Sequence, residues 1–146
     1  MRDPAKRIYG VSALRAVELI RESGNGSDPD AAWLQATSEA TVSPANHTRG
    51  GPRATFLGLC EAGLIPGVPV GNYLKDVKNA LNKDFALAAL VALAQTPELA
   101  RRPLTLWKVA TGGVHTRYAY QMDVVLALWN AGITKTTPAA TASAAS

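Results

Sequence analysis

Cys60 is the only thiol in the chain, and His47 and His115 are its only imidazoles. Together they form the smallest set from which a thiolate nucleophile and its base can be assembled, so thiol-dependent catalysis through Cys60 is one reading of these residues. The spacing around the cysteine favours packing instead. Phe56, Leu59, Cys60 and Gly63 stand at i, i+3, i+4 and i+7, and Val125, Leu128, Trp129 and Gly132 repeat the pattern with an indole in place of the thiol. A position that accepts either group is a core position, where cysteine behaves as a small hydrophobe. The histidines have no second histidine or cysteine at ligand spacing, so no metal site is expected. Each sits in the same tripeptide, His47-Thr48-Arg49 and His115-Thr116-Arg117, ahead of a helical stretch. The partial positive charge of a helix start, a threonine hydroxyl and Arg49 or Arg117 could together hold a phosphate or carboxylate. Alternatively, the threonine caps the helix and the arginine pairs with a neighbouring carboxylate.

Charge supplies the second candidate. Residues 1–71 carry seven basic and seven acidic side chains, whereas residues 72–146 carry eight basic and four acidic ones, so the whole net charge of +4 belongs to the second half. Lys75, Lys78, Lys83, Arg101, Arg102, Lys108 and Arg117 could meet nucleic-acid phosphates or an acidic partner; a merely solvated face is the alternative. Tyr118 and Tyr120, beside Arg117, make an aromatic-basic cluster of the kind that stacks on single strands. Trp33 and Trp107 could stack likewise, but tryptophans at equivalent helical positions are more often core. The chain has no Gly-x-Gly-x-x-Gly or Walker-type loop and no carboxylate pair at catalytic spacing, so neither an enzyme signature nor a cofactor follows.

The elements that must hold these groups occur in two sets. Residues 13–20 recur as 86–93, residues 32–37 as 106–111, residues 56–65 as 125–134, and His-Thr-Arg as the same tripeptide, at offsets of 73, 74, 69 and 68 residues. This order predicts an all-α fold: a tandem duplication of a three-helix unit, about six helices packed as one domain over residues 1–134. The repeats span about 8–65 and 82–134 and are joined by a compact, turn-rich connector over 66–81. Hydrophobic periodicity and caps place helices at 8–22, from Pro29 to about Thr41, and at 53–62 with Gly63 as its C-terminal cap. The second unit is predicted to hold helices at 82–95, from Thr96-Pro97 past Pro103 to Trp107, and at 116–131. Residues 85–94 are apolar on every side, which predicts a helix buried all round at the centre of the fold. Residues 135–146, rich in Thr, Ala and Ser, read as a flexible tail.

No apolar stretch approaches the roughly 20 residues that a membrane span needs. A single cysteine excludes an internal disulfide framework, and the basic N-terminus is followed by no secretory apolar region, so the cytoplasm is the expected location and no membrane is expected as a partner.

Two runs carry a family resemblance: residues 56–73, FLGLCEAGLIPGVPVGNY, and residues 121–133, QMDVVLALWNAGI. With them the chain resembles, loosely over residues 8–133, a family of small uncharacterised bacterial proteins of unknown function. The resemblance implies a bacterial or phage-type cytoplasmic protein and assigns no site. It directs attention to the connector ending at Tyr73 and to Gln121-Met122-Asp123. The expected function is a non-catalytic binding module that contacts nucleic-acid phosphates through the basic second repeat. A protein-interaction or regulatory adaptor is the alternative, and a thiol-dependent enzyme using Cys60 the second alternative.

Overall fold

The computed structural model describes residues 7–24, 26–42, 50–74, 80–113 and 118–134, and among them all regular structure is helical. In chain order the helices are α1 (Ile8–Ser23), α2 (Pro29–Ala40), α3 (Gly50–Glu61), α4 (Ala80–Gln95), α5 (Pro103–Thr111) and α6 (Gln121–Asn130), with a 3-10 turn at Pro97–Arg101 between α4 and α5. None of them is long and apolar enough to cross a membrane.

The boundaries have local causes. Asp28 accepts a hydrogen bond from Ala31 N–H at 3.1 Å, and Pro29 opens α2 with its φ already suited to a helix. Helices α3 and α6 end alike. Gly63 and Gly132 take left-handed φ of 78° and 80°, their N–H groups reach Cys60 and Trp129 carbonyls, and Leu64 and Ile133 N–H groups reach back to Leu59 and Leu128. These paired bonds are the Schellman closure, which satisfies carbonyls that a helix end leaves open.

Two predicted boundaries are overturned. The helix expected from 96 to 107 is broken at Arg102, whose φ of −133° and ψ of 75° obey the steric demand of the following proline, so a 3-10 turn precedes a separate α5. The last helix starts at Gln121 rather than Thr116, because Tyr120 adopts a left-handed φ of 67° that no helix can pass through.

One core takes side chains from every helix, among them Ile20, Trp33, Phe56, Leu90, Leu106 and Leu126. Helix α1 packs on α2 and α4 on α5; α3 packs on α4 and α6 on α1; α2 meets α3 and α5 meets α6; α3 and α6 meet each other. Exchanging the first three helices with the last three returns the same set of pairs, apart from an additional contact of α4 with α6. The helix buried all round is not α4, which leaves Leu81 in solvent and Phe85, Leu87, Ala88 and Val91 half-buried. Residues 54–61 of α3 and 121–128 of α6 are the unbroken buried runs. Helix α6 is short and meets α1, α3, α4 and α5, so no side of it remains open. The α3–α4 approach depends on Gly58, where a Cβ would stand 2.8 Å from Lys83 Cα.

Candidate functional site

Breaking the chain at Arg102 creates the most distinctive surface of the protein. Helix α5 turns Leu106, Trp107, Ala110 and Thr111 into the core. Its other side carries Leu104, Thr105, Lys108 and Val109, at i, i+1, i+4 and i+5, all exposed, with Leu104 at 67% and Val109 at 52% of full accessibility. Arg101 and Arg102, also exposed, immediately precede the helix. None of Arg101, Arg102 and Lys108 enters an ion pair among the described residues. By contrast, Arg7 pairs with Asp123, Arg15 with Glu18, Glu22 and Glu39, Arg53 with Asp30, and Lys83 with Glu61. Arg21 on α1 is the one other described cation outside an ion pair. Glu98 is the single carboxylate of residues 96–113.

Beneath α5 runs a chain of rings. Phe85 meets Trp107 edge-on at 5.4 Å, Trp107 meets Tyr118 at 5.3 Å, Tyr118 meets Tyr120 at 5.8 Å, and Tyr120 stacks on Tyr9 at 5.9 Å. Tyr118 is half-buried; burial, and then the charge of Asp123, push its phenol up. Tyr120, 38% exposed, lies under the Arg7 guanidinium at 4.9 Å. The two tyrosines are therefore interlocked with Arg7, Tyr9 and Trp107, and they do not stand as a bare platform for bases. Behind them Asp123 is buried in the first turn of α6 with Arg7 Nε 2.8 Å from Oδ2, although that oxygen accepts no directed hydrogen bond. Burial pushes its carboxyl above the usual range against the opposing pull of Arg7. Gln121 fixes the same corner, accepting from Ala119 N–H at 2.6 Å and donating to Asn82 at 3.1 Å.

The remaining predicted residues divide cleanly. Lys83 lies away from the open face, 3.1 Å from the buried carboxylate of Glu61. That carboxylate also accepts from Tyr73 and Leu74 N–H at 2.8 and 2.6 Å. Burial alone would raise Glu61; the Leu74 N–H, the Lys83 ammonium and the Tyr73 N–H outweigh it and hold the carboxyl below its ordinary value. Lys75, Lys78, His47, Arg49, His115, Thr116 and Arg117 lie outside the described residues. Cys60 is fully buried, and burial pushes its thiol well up, away from the thiolate that a nucleophile needs. Trp33 is buried against Phe56 at 5.3 Å, and Trp107 is also buried, so both tryptophans are core. No group of His, Cys, Asp and Glu among the described residues could hold a metal.

Glu61, Arg7 and the cleft at the start of α2 were not singled out by the sequence reading. The cleft, of about 430 Å³, opens between Asp28 and Asp30 of α2, Arg53 and Leu57 of α3, and Asn72 and Tyr73 of the connector. Arg53 and Asp30 close on each other across it, Nε to Oδ1 at 2.8 Å, which leaves the cleft with its own internal charge pair. Only the run of an acidic N-cap, proline and a second acid at 28–30 hinted at a polar corner here.

No curated protein and no solved structure matches the chain. The model of a family of unknown function, DUF6979, matches residues 6–135, and the chain belongs to that family.

Proposed function

We propose that this protein is a non-catalytic binding module that contacts nucleic-acid phosphates through the outer face of α5. The observation that carries the reading is the contrast in how its cations are used. Arg7, Arg15, Arg53 and Lys83 are held by carboxylates, whereas Arg101 and Arg102, just before α5, and Lys108 on it are exposed and meet no carboxylate among the described residues. An open cationic face gains affinity by releasing the counterions of a polyanion. The test is a salt titration of binding to fluorescent DNA and RNA, from about 20 to 300 mM, with a log–log slope near −2.7 for three phosphate contacts. Arg101→Ala plus Arg102→Ala should flatten that slope by about 1.8. Affinity no better than millimolar at the lowest salt would end the proposal.

Exposed Leu104 and Val109 favour a second reading, a protein-interaction adaptor using the same face. A stoichiometric protein partner retained after nuclease treatment supports it over the first. Thiol catalysis has the least physical support, given the buried Cys60; alkylation of native protein by iodoacetamide would revive it.

The same proposal includes two duplicated three-helix units in one domain, supported by the near-symmetric helix pairing and the matching Gly63 and Gly132 closures. It also takes the cytoplasm as the working location, supported by one cysteine kept buried as a free thiol. The sequence resemblance adds a bacterial or phage setting.

A further inference from the structure

We infer that α5 docks as a groove-reading helix in the major groove of B-form duplex DNA, a step that rests on the nucleic-acid reading above. Phosphate contact alone explains the cations but not the exposed aliphatic side chains beside them. Leu104 and Thr105 follow Arg101 and Arg102 in the chain, and Lys108 and Val109 stand together about one turn further on, roughly 6 Å along the axis, so that Lys108 lies between Leu104 and Val109 on the exposed side. A flat backbone contact would leave both aliphatic side chains in water. A helix lying in the major groove, by contrast, meets base edges as well as phosphates, so that aliphatic side chains interleaved with cations are both used. Thymine methyls suit Leu104 and Val109, and the Thr105 hydroxyl can donate to or accept from a base edge.

The dimensions agree: α5 has nine residues, so it is about 13 Å long, and a helix with side chains is about 10–12 Å across, the width of the B-form major groove. The deep, narrow major groove of A-form RNA does not admit it. A second copy of the chain is a poor occupant of the face, because a two-fold contact would set three cations against three.

Fluorescence anisotropy on one sequence in three forms, duplex DNA, duplex RNA and single-stranded DNA, separates the possibilities. Duplex DNA should bind about tenfold more tightly than either alternative at equal salt. Leu104→Ala plus Val109→Ala should weaken duplex DNA about tenfold while leaving the salt slope unchanged, since no phosphate contact is lost. Replacing thymine by uracil should cost part of the same loss. Both side chains are exposed, and circular dichroism of the double variant should match the parent. Equal affinity for duplex DNA and duplex RNA, or no effect of the aliphatic pair, would overturn groove docking and leave the phosphate reading standing. Binding to none of the three overturns both.

Discussion

Replacing Glu61 with alanine should loosen the whole second half of the fold from the first. The carboxylate lies at the end of α3, 9% exposed, and joins three segments: Oε2 accepts the N–H groups of Tyr73 and Leu74 at the end of the connector, and Oε1 accepts Lys83 in α4. Hydrogen bonds to a charged group contribute about 1.5–3 kcal/mol each. The two N–H donors belong to half-buried residues that water can partly reach, so the lower figure applies to each, about 3 kcal/mol together. Lys83 is about one-third exposed and adds less than about 1 kcal/mol. A loss of about 3–4 kcal/mol follows, a large share of the 5–15 kcal/mol that holds a domain together, and it should lower Tm by about 10 °C. Urea denaturation followed by tryptophan fluorescence measures it, and Glu61→Gln, which keeps one acceptor oxygen, should lose about half as much. Because the folded carboxyl is held below its unfolded value of about 4.3, its contribution is complete above that pH and disappears as pH falls through the lower folded value. A loss under about 1 kcal/mol at neutral pH, or one unchanged down to pH 3, would refute the reasoning.

Three further outcomes are expected. Gly58→Ala should destabilise by about 1–2 kcal/mol although alanine is the better helix former, because its Cβ would meet the Lys83 backbone and force α3 and α4 apart; equal or higher stability in urea would show that the contact yields. Asp123→Asn should cost less than about 1 kcal/mol at pH 7 or stabilise the protein, since the buried carboxyl is raised and its favourable protonated form is lost as pH rises through the folded value. The wild-type chain should therefore lose stability as pH rises from about 4 through the folded value, by a component that the variant lacks and that paired urea curves can read. Cys60 should react with iodoacetamide only at the rate of unfolding, so that destabilising Gly58→Ala accelerates alkylation; rapid labelling of the native wild type would contradict its burial.

The scaffold was legible where a local rule decides the outcome. Pro29 after Asp28, and Gly63 and Gly132 followed by Leu64 and Ile133, are one-position signals with one geometric meaning, and the structure uses each in that way. The misplaced boundaries needed information that no window contains. Tyr120 is a non-glycine residue in a left-handed conformation, held there by Tyr9, Tyr118 and Arg7, two of which are more than a hundred residues away in the chain. In sequence Glu61 is a polar residue in the last turn of the helix predicted over 53–62; its burial arises from the return of Tyr73, Leu74 and Lys83, a tertiary event. The charge excess of the second half was visible by counting, but which cations are open was not. Lys83 looked equivalent to Lys108 until Glu61 was placed beside it.

That distinction makes the comparison of α2 with α5 informative. In the register that aligns Trp33 with Trp107, Pro29 coincides with Pro103, and both prolines open their helices. Around this shared frame the charges are reversed or exchanged: Asp28 stands where α5 has Arg102, Asp30 where it has Leu104, and Leu34 where it has Lys108. On α2 the polar groups tie the fold together. Asp28 caps its own helix, Asp30 holds Arg53 of α3, and Glu39 accepts Arg15 of α1 at 2.8 Å. On α5 the corresponding face makes no such tie. The Arg102 side chain does not cap the helix, and Arg101, Arg102 and Lys108 enter no ion pair among the described residues. Surface that packing and folding leave without a task, yet that carries aliphatic side chains and cations side by side in water, is best accounted for by an external partner. On the proposed binding function, the asymmetry between the two helices points to α5 as its surface, and it predicts that charge-reversing α2 would disturb stability while charge-reversing α5 would disturb binding alone.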